Sequence, residues 1–182
     1  MQYVAFLKGI NVGGHNLISK ENLQATFTKQ GFQNVSTYKQ SGNVIFETDP
    51  ADIEELEVNL QQALYETTSK NIVVRVRRMT ELEAIQKTDP FKNCEGEGAS
   101  FLVTFLPRNI KSQLQFPVKI PKSTAEVIAS RGDEVYSVSH GHGDGALPNP
   151  FVEAKLKVKA TTRNWNIIRE IVQKYADQKT AK

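Results

Sequence analysis

The chain has 182 residues, 39% of them hydrophobic and 24% charged, with 23 Lys and Arg against 20 Asp and Glu for a formal charge of +3. This balance excludes disordered, fibrous and disulfide-scaffold classes, and the length suits one large domain or two small ones that fold without staples. A single cysteine excludes an internal disulfide and a cysteine-rich zinc site.

No run approaches the ~18 apolar residues of a membrane helix. The opening Met1–Leu7 is too short for a signal peptide and lacks its basic leader, so the expected location is cytoplasmic. Tyr3–Leu7 reads as a strand, and Gly9-Ile10-Asn11-Val12-Gly13-Gly14 as the Gly-rich loop that follows it. From Ser19 the spacing of Leu23, Phe27 and Phe32 predicts a helix with Ser19 as N-cap, Asn22 at N3 and Gly31 at the stop. Residues 35–40 and 43–48 read as two strands around Ser41-Gly42, and Asp49-Pro50 turns the chain. Ile53, Leu56, Leu60 and Leu64 mark an amphipathic helix, and 71–77 a strand in which Val74 and Val76 alternate with Arg75 and Arg77.

The first 79 residues therefore read β-α-β-β-α-β. This is the ferredoxin-like pattern, with four antiparallel strands and two helices on one face. From residue 80 to 182 a second α+β half is expected. Thr80 caps a short helix that ends before Asp89-Pro90, and 100–106 is a strand. Residues 125–129 and 134–139 form a hairpin through Arg131-Gly132-Asp133, and helices near 150–156 and 162–176 close the chain. The expected class is α+β, a ferredoxin-like unit packed on a related half with C-terminal helices. No low-complexity linker separates them.

Three segments offer chemistry. In Lys8–Gly14 the glycines let backbone N–H groups approach an anion, although neither G-x-G-x-x-G nor the G-K-[ST] of a P-loop is present. A tight ligand-free loop fits the same residues. Tyr38-Lys39-Gln40-Ser41-Gly42-Asn43 offers uncharged hydrogen-bonding groups at a turn, which is also ordinary turn chemistry. In Ala160–Asn166, Thr161 or Thr162 is placed to cap a helix whose first turn carries Arg163, with Asn164 and Asn166 alongside; Trp165, Ile168, Val172 and Tyr175 share a face that reads as core. His140, His142 and Asp144 have an H-x-H-x-D spacing, but a metal site needs a further ligand or an open position, so no metal is assigned. Cys94 has acidic neighbours, which does not suit a thiolate. Residues 151–182 carry eight basic groups against three acidic ones, a local +5, while the rest of the chain sums to −2. That segment suits an anionic partner only if its charges converge.

Phe6–Gly14, Thr37–Phe46 and Ala160–Asn166, in this order and spacing, resemble the bacterial DUF1697 family of uncharacterised proteins. The resemblance implies an α+β protein containing ferredoxin-like units and brings no cofactor or catalytic residue. Members usually carry Gly-Tyr-Gly-Arg-Ser-Lys-Leu before the penultimate helix, where this chain has Gly141-His142-Gly143-Asp144-Gly145-Ala146-Leu147 and lacks the basic side chains.

The leading expectation is binding of an anionic small molecule or nucleic acid by Lys8, Gly9, Asn11, Gly13 and Gly14, by Gln40, Ser41 and Asn43, and by Thr162, Arg163, Asn164 and Asn166. In the ferredoxin-like order the first and third strands are adjacent and antiparallel, so 9–11 and 41–43 should be neighbours. Two alternatives stand beside it. One is an enzyme acting on a phosphorylated metabolite, with Lys8 and Arg163 as clamps and His15 as the base available. The other is an RNA binder that stacks bases on Tyr3, Tyr38 and Phe46.

Overall fold

Tyr3–Leu7 is an unbroken apolar run in the sequence because this strand is covered on both faces. Strand β1 (Gln2–Leu7) is central, with β3 (Asn43–Glu47) on one side and β4 (Val74–Arg78) on the other, and β2 (Gln33–Tyr38) outside β3. All pairs are antiparallel. This computed structural model describes residues 1–11, 17–39, 42–94, 98–110, 114–140 and 148–180. The chain divides into two units, Met1–Glu81 and Leu82–Lys182.

In the first unit, helix α1 (Lys20–Lys29) lies between β1 and β2, and α2 (Ile53–Thr68) between β3 and β4. Alternate strand residues Tyr3, Ala5, Leu7, Val44, Phe46, Val74 and Val76 join Leu23 and Phe27 of α1 and Leu56, Leu60 and Leu64 of α2 in one core. The period of two on the strands and the 3–4 spacing on the helices thus meet in a single layer. Tyr3 stacks on Phe46 with ring centroids 5.6 Å apart, and Phe27 meets Phe46 edge-on at 5.5 Å. Both Tyr3 and Phe46 are fully buried, so neither presents a ring for base stacking.

The strand predicted over 71–77 begins its ladder only at Val74, because its first partner is Leu7, the last residue of β1. Edge strand β4 is covered by a side-chain device. Gln61 Oε1 accepts the Val74 N–H at 3.1 Å, and Glu57 Oε1 accepts the Val76 N–H at 2.8 Å. Four residues of helix rise about 6 Å and two of strand about 6.6 Å, so side chains one turn apart on α2 match alternate N–H groups on β4. This closes an edge that would otherwise template another strand.

The second unit holds a five-stranded antiparallel sheet in the order β6-β7-β8-β5-β9, from β5 (Ser100–Phe105), β6 (Val118–Lys119), β7 (Ala125–Arg131), β8 (Glu134–Ser139) and β9 (Thr161–Asn164). Helices α3 (Met79–Thr88), α4 (Asn149–Leu156) and α5 (Trp165–Thr180) complete the fold; α3 runs across the division between the units. The β7–β8 hairpin forms at Gly132 as expected, and Trp165, Ile168, Val172 and Tyr175 are buried.

Two helix starts differ from expectation. Thr80 is not the cap of α3; the helix begins at Met79, and Glu81 reaches back to accept the Arg78 N–H at 2.7 Å. Residue 162 does not open the last helix, because Thr161–Asn164 forms β9 against β5 and α5 begins at Trp165. The β-branched pair Thr161-Thr162 prefers the pleated conformation, and its hydroxyls find partners there. The Thr162 Oγ1 meets Thr104 Oγ1 at 2.7 Å and donates to Asn149 Oδ1. Asn149, nearly buried, also donates to the Ala160 carbonyl at 3.0 Å, and Glu153 accepts the Ala160 N–H at 2.7 Å. The cap of α5 is Asn164, whose Oδ1 accepts the Asn166 N–H at 2.9 Å.

Among the described residues, no helix is long and apolar enough to cross a membrane.

Candidate functional site

The end of β1 and the β2–β3 turn are joined by backbone. The Leu7 N–H donates to the Gly42 carbonyl at 2.8 Å, and Phe6 lies opposite Asn43 in the ladder. Gly42 has φ +71°, and a Cβ on it would lie 2.8 Å from Ile10 Cγ1 and 3.0 Å from the Leu7 carbonyl oxygen. Glycine is therefore required at this position both by backbone conformation and by space. The expected neighbourhood of the loop after the first strand and the turn before the third is present, carried by Leu7, Ile10, Gly42 and Asn43.

Asn11, at φ 55°, holds the other side of this junction. Its Nδ2 donates to the Ile18 carbonyl at 3.0 Å and its Oδ1 accepts the Ile18 N–H at 2.9 Å. One amide thus mimics a two-bond strand pair and brings the chain back at the start of α1. Ser19 caps that helix, its Oγ accepting the Asn22 N–H at 3.1 Å. The next two N–H groups, of Lys20 and Glu21, have no acceptor within the helix by geometry. Buried Asn43 donates its Nδ2 to the Tyr38 carbonyl at 3.1 Å and closes the turn.

These elements enclose a pocket of about 760 Å³. Asn11, Gly42 and Asn43 form one side, Thr37 and Lys39 the second, and the α1 start from Leu17 to Leu23 the third. Lys20, Lys39 and Glu21 are exposed at its rim. The Lys39 ammonium lies 5.5 Å from the centroid of the Tyr38 ring. Leu17 is 71% exposed, an apolar side chain standing free at the mouth. The volume falls in the range of small-molecule sites.

Of the expected site residues, Asn11 and Asn43 line this pocket, while Lys8 and Gly9 do not. Gly13, Gly14, His15, Gln40 and Ser41 lie outside the described residues. Thr162, Arg163, Asn164 and Asn166 belong to the second unit. Thr162 is occupied by Thr104 and Asn149. Arg163 is half-buried on β9, where its Nη1 donates to Thr161 Oγ1 at 2.9 Å and to the Thr162 carbonyl at 2.8 Å. Burial lowers its guanidinium pKa to about 10, which leaves it charged at neutral pH. Asn164 caps α5, and Asn166 is exposed and lines a smaller pocket of the second unit.

Sequence reasoning passed over Lys20, Lys39, Thr37 and Leu17. Lys39 stood inside a recognised segment and Lys20 directly after a recognised cap, so the signal present was adjacency to elements already identified.

His142 and Asp144, with the departing loop 141–147, lie outside the described residues. Among the described residues no group of three His, Cys, Asp or Glu is placed to hold a metal. Burial raises the Cys94 thiol pKa, and the Glu126 and Asp89 carboxylates raise it further, which disfavours a thiolate nucleophile.

The model of the family described as a protein of unknown function, DUF1697, matches residues 1–136. The chain belongs to the DUF1697 family. The match contains the β1 loop and the β2–β3 turn, so both segments that build the larger pocket lie within the DUF1697 span, and the 160–166 segment lies beyond it. A solved structure, that of the conserved bacterial protein SP0830 from Streptococcus pneumoniae, superposes with a TM-score of 0.70 at 17% identity, over 94% of this chain and 97% of that one. At that identity the likeness shows the fold. No curated protein matches this DUF1697 chain.

Proposed function

We propose that the first unit binds an anionic organic small molecule, such as a nucleotide or a phosphorylated metabolite, in the pocket between the β1 loop, the β2–β3 turn and the start of α1. The observation that carries this reading is the convergence of two exposed cationic side chains on a helix start within one concave space. Lys20 and Lys39 supply charge at the rim, and the Lys20 and Glu21 N–H groups lie at the positive end of the helix dipole. Glu21 moderates the field, so the pocket is suited to one or two anionic groups and not to a long polyanion. Leu17, Ile18 and Leu23 give an apolar wall, which favours a ligand with an organic body over a bare inorganic ion. A small molecule is preferred to RNA because two of the three aromatics available for sheet-face stacking are in the core.

The test is isothermal titration with a panel of nucleotides, sugar phosphates and inorganic phosphate, on wild type and on Lys39→Ala and Lys20→Ala. A charge-assisted hydrogen bond contributes about 1.5–3 kcal/mol, so each substitution should weaken the best organic anion roughly ten- to hundredfold. Affinity unchanged in both variants, or no binding across the panel, refutes the reading.

A further inference from the structure

The second unit contains a separate notch whose origin is topological. Strand β9 pairs with β5 only from Leu102 to Phe105, because at Trp165 the chain leaves the sheet and becomes α5. Ser100 and Phe101, the first two residues of β5, therefore run on past the end of β9. The space left beside them is a pocket of about 230 Å³.

Its floor is aromatic. Phe91 is the hub, with ring centroids 5.1 Å from Phe101 and 5.7 Å from Trp165. Phe91 and Trp165 are buried, while Phe101 is only half-buried, so one ring keeps exposed surface toward the notch. The rim is polar and carries both signs of charge. Asn166 and Arg169 come from the first turns of α5, three residues apart and so on one face, and Asp89 comes from the end of α3; all three are exposed. The helix end itself is not the attraction, since Asn164 already accepts the Asn166 N–H.

We infer that this notch binds a nucleobase carrying an exocyclic amine, stacked on Phe101 and read at its edge by Asn166 and Asp89. An exposed half-ring is a stacking platform for a planar base. A primary amide offers a donor and an acceptor side by side, the pairing that asparagine makes with an adenine edge, and a carboxylate accepts from an exocyclic amine. Arg169 stands where a phosphate on the same nucleoside finds a fork of donors. The volume lies below the 300–1,000 Å³ of drug-sized sites, which matches a base with its sugar left outside. This site is independent of the pocket in the first unit, and neither reading requires the other.

The chain's single tryptophan lines the notch, so its one indole N–H resonance reports occupancy directly. Adenosine, cytidine, uridine and inorganic phosphate are titrated into the full-length protein while that resonance is followed. Adenosine and cytidine should shift it saturably, uridine at least about fivefold more weakly, and phosphate not at all. One good edge contact contributes at least about 1 kcal/mol, so Asn166→Ala should weaken adenosine at least about fivefold. Both Asn166 and Arg169 are exposed, so Asn166→Ala and Arg169→Ala should fold normally; Arg169→Ala should weaken adenosine monophosphate and spare adenosine. Lys39→Ala, in the other pocket, should change none of these shifts. No saturable shift with any nucleoside overturns the proposal. So does uridine equal to adenosine, an equal response to phosphate, or adenosine affinity retained in Asn166→Ala.

Discussion

Gly42→Ala, compared with Gly9→Ala, isolates the contact that builds the larger pocket. Both glycines have positive φ, +71° and +66°, and so both carry the left-handed backbone that a Cβ disfavours. The surroundings differ. A Cβ at Gly9 meets nothing within 4 Å, whereas one at Gly42 falls 2.8 Å from Ile10 Cγ1 and 3.0 Å from the Leu7 carbonyl oxygen. The backbone term is about 1–2 kcal/mol for either variant. Only Gly42→Ala adds overpacking of about 1–3 kcal/mol, since the buried Ile10 and a strand carbonyl must both move. Gly9→Ala should therefore lose about 1–2 kcal/mol and Gly42→Ala about 2–5. With a urea slope near 2 kcal/mol/M, the midpoints should separate by roughly 0.5–1.5 M. Circular dichroism gives the midpoints, and amide exchange at β1 and β3 assigns the loss to the first unit. Equal midpoints for the two variants would refute the claim that the β1 loop closes against the turn.

The Glu57 carboxyl titrates above its ordinary value of 4.5, because desolvation outweighs the opposing pull of Arg75 at 2.5 Å, the Val76 N–H and Arg77 at 3.9 Å. On acidification the folded chain then takes up this proton before the unfolded chain does. The stabilisation it brings is complete below pH 4.5 and is lost as pH rises through the folded value. Glu57→Gln keeps an acceptor for Val76 and cannot titrate. Denaturant midpoints should thus show wild type gaining on the variant between neutral pH and pH 4.5, and a gain by the variant would reverse the assignment. In the second unit, Asn149→Ala strips the amide donor from the carbonyl of buried Ala160 and leaves the part-buried Thr162 hydroxyl with Thr104 alone. Chemical denaturation should register a loss of about 1–3 kcal/mol, and a loss below a few tenths would show that water replaces the amide.

Much of the first unit was legible in the residues because its periods are unambiguous. Tyr3–Leu7, the Ile53–Leu64 stripe and the alternation in Val74–Arg77 each match one period, and Ser19 is a cap whose role depends on three neighbouring residues. Such features are local. The 160–166 segment misled for the converse reason. Thr161, Thr162 and Asn164 suit either a helix start or a strand, and the choice was made by β5, about 60 residues earlier in the chain, whose edge and Thr104 hydroxyl were available. No pattern within the segment records that.

The site shows the same division. By itself the sequence determined that Asn11, Gly42 and Asn43 sit at the ends of elements, since Gly and Asn are the residues that tolerate turns and positive φ. The tertiary structure decided what they do there. Asn11 spends its amide on Ile18 and Asn43 on Tyr38, so these two polar side chains shape the pocket wall, and the charges exposed at the rim are those of Lys20, Lys39 and Glu21. Likewise the sequence marked Trp165 as core and Asn166 as polar, but only the early end of β9 opens a notch between them. A turn preference acts over four residues. A cavity depends on where strands from distant parts of the chain stop.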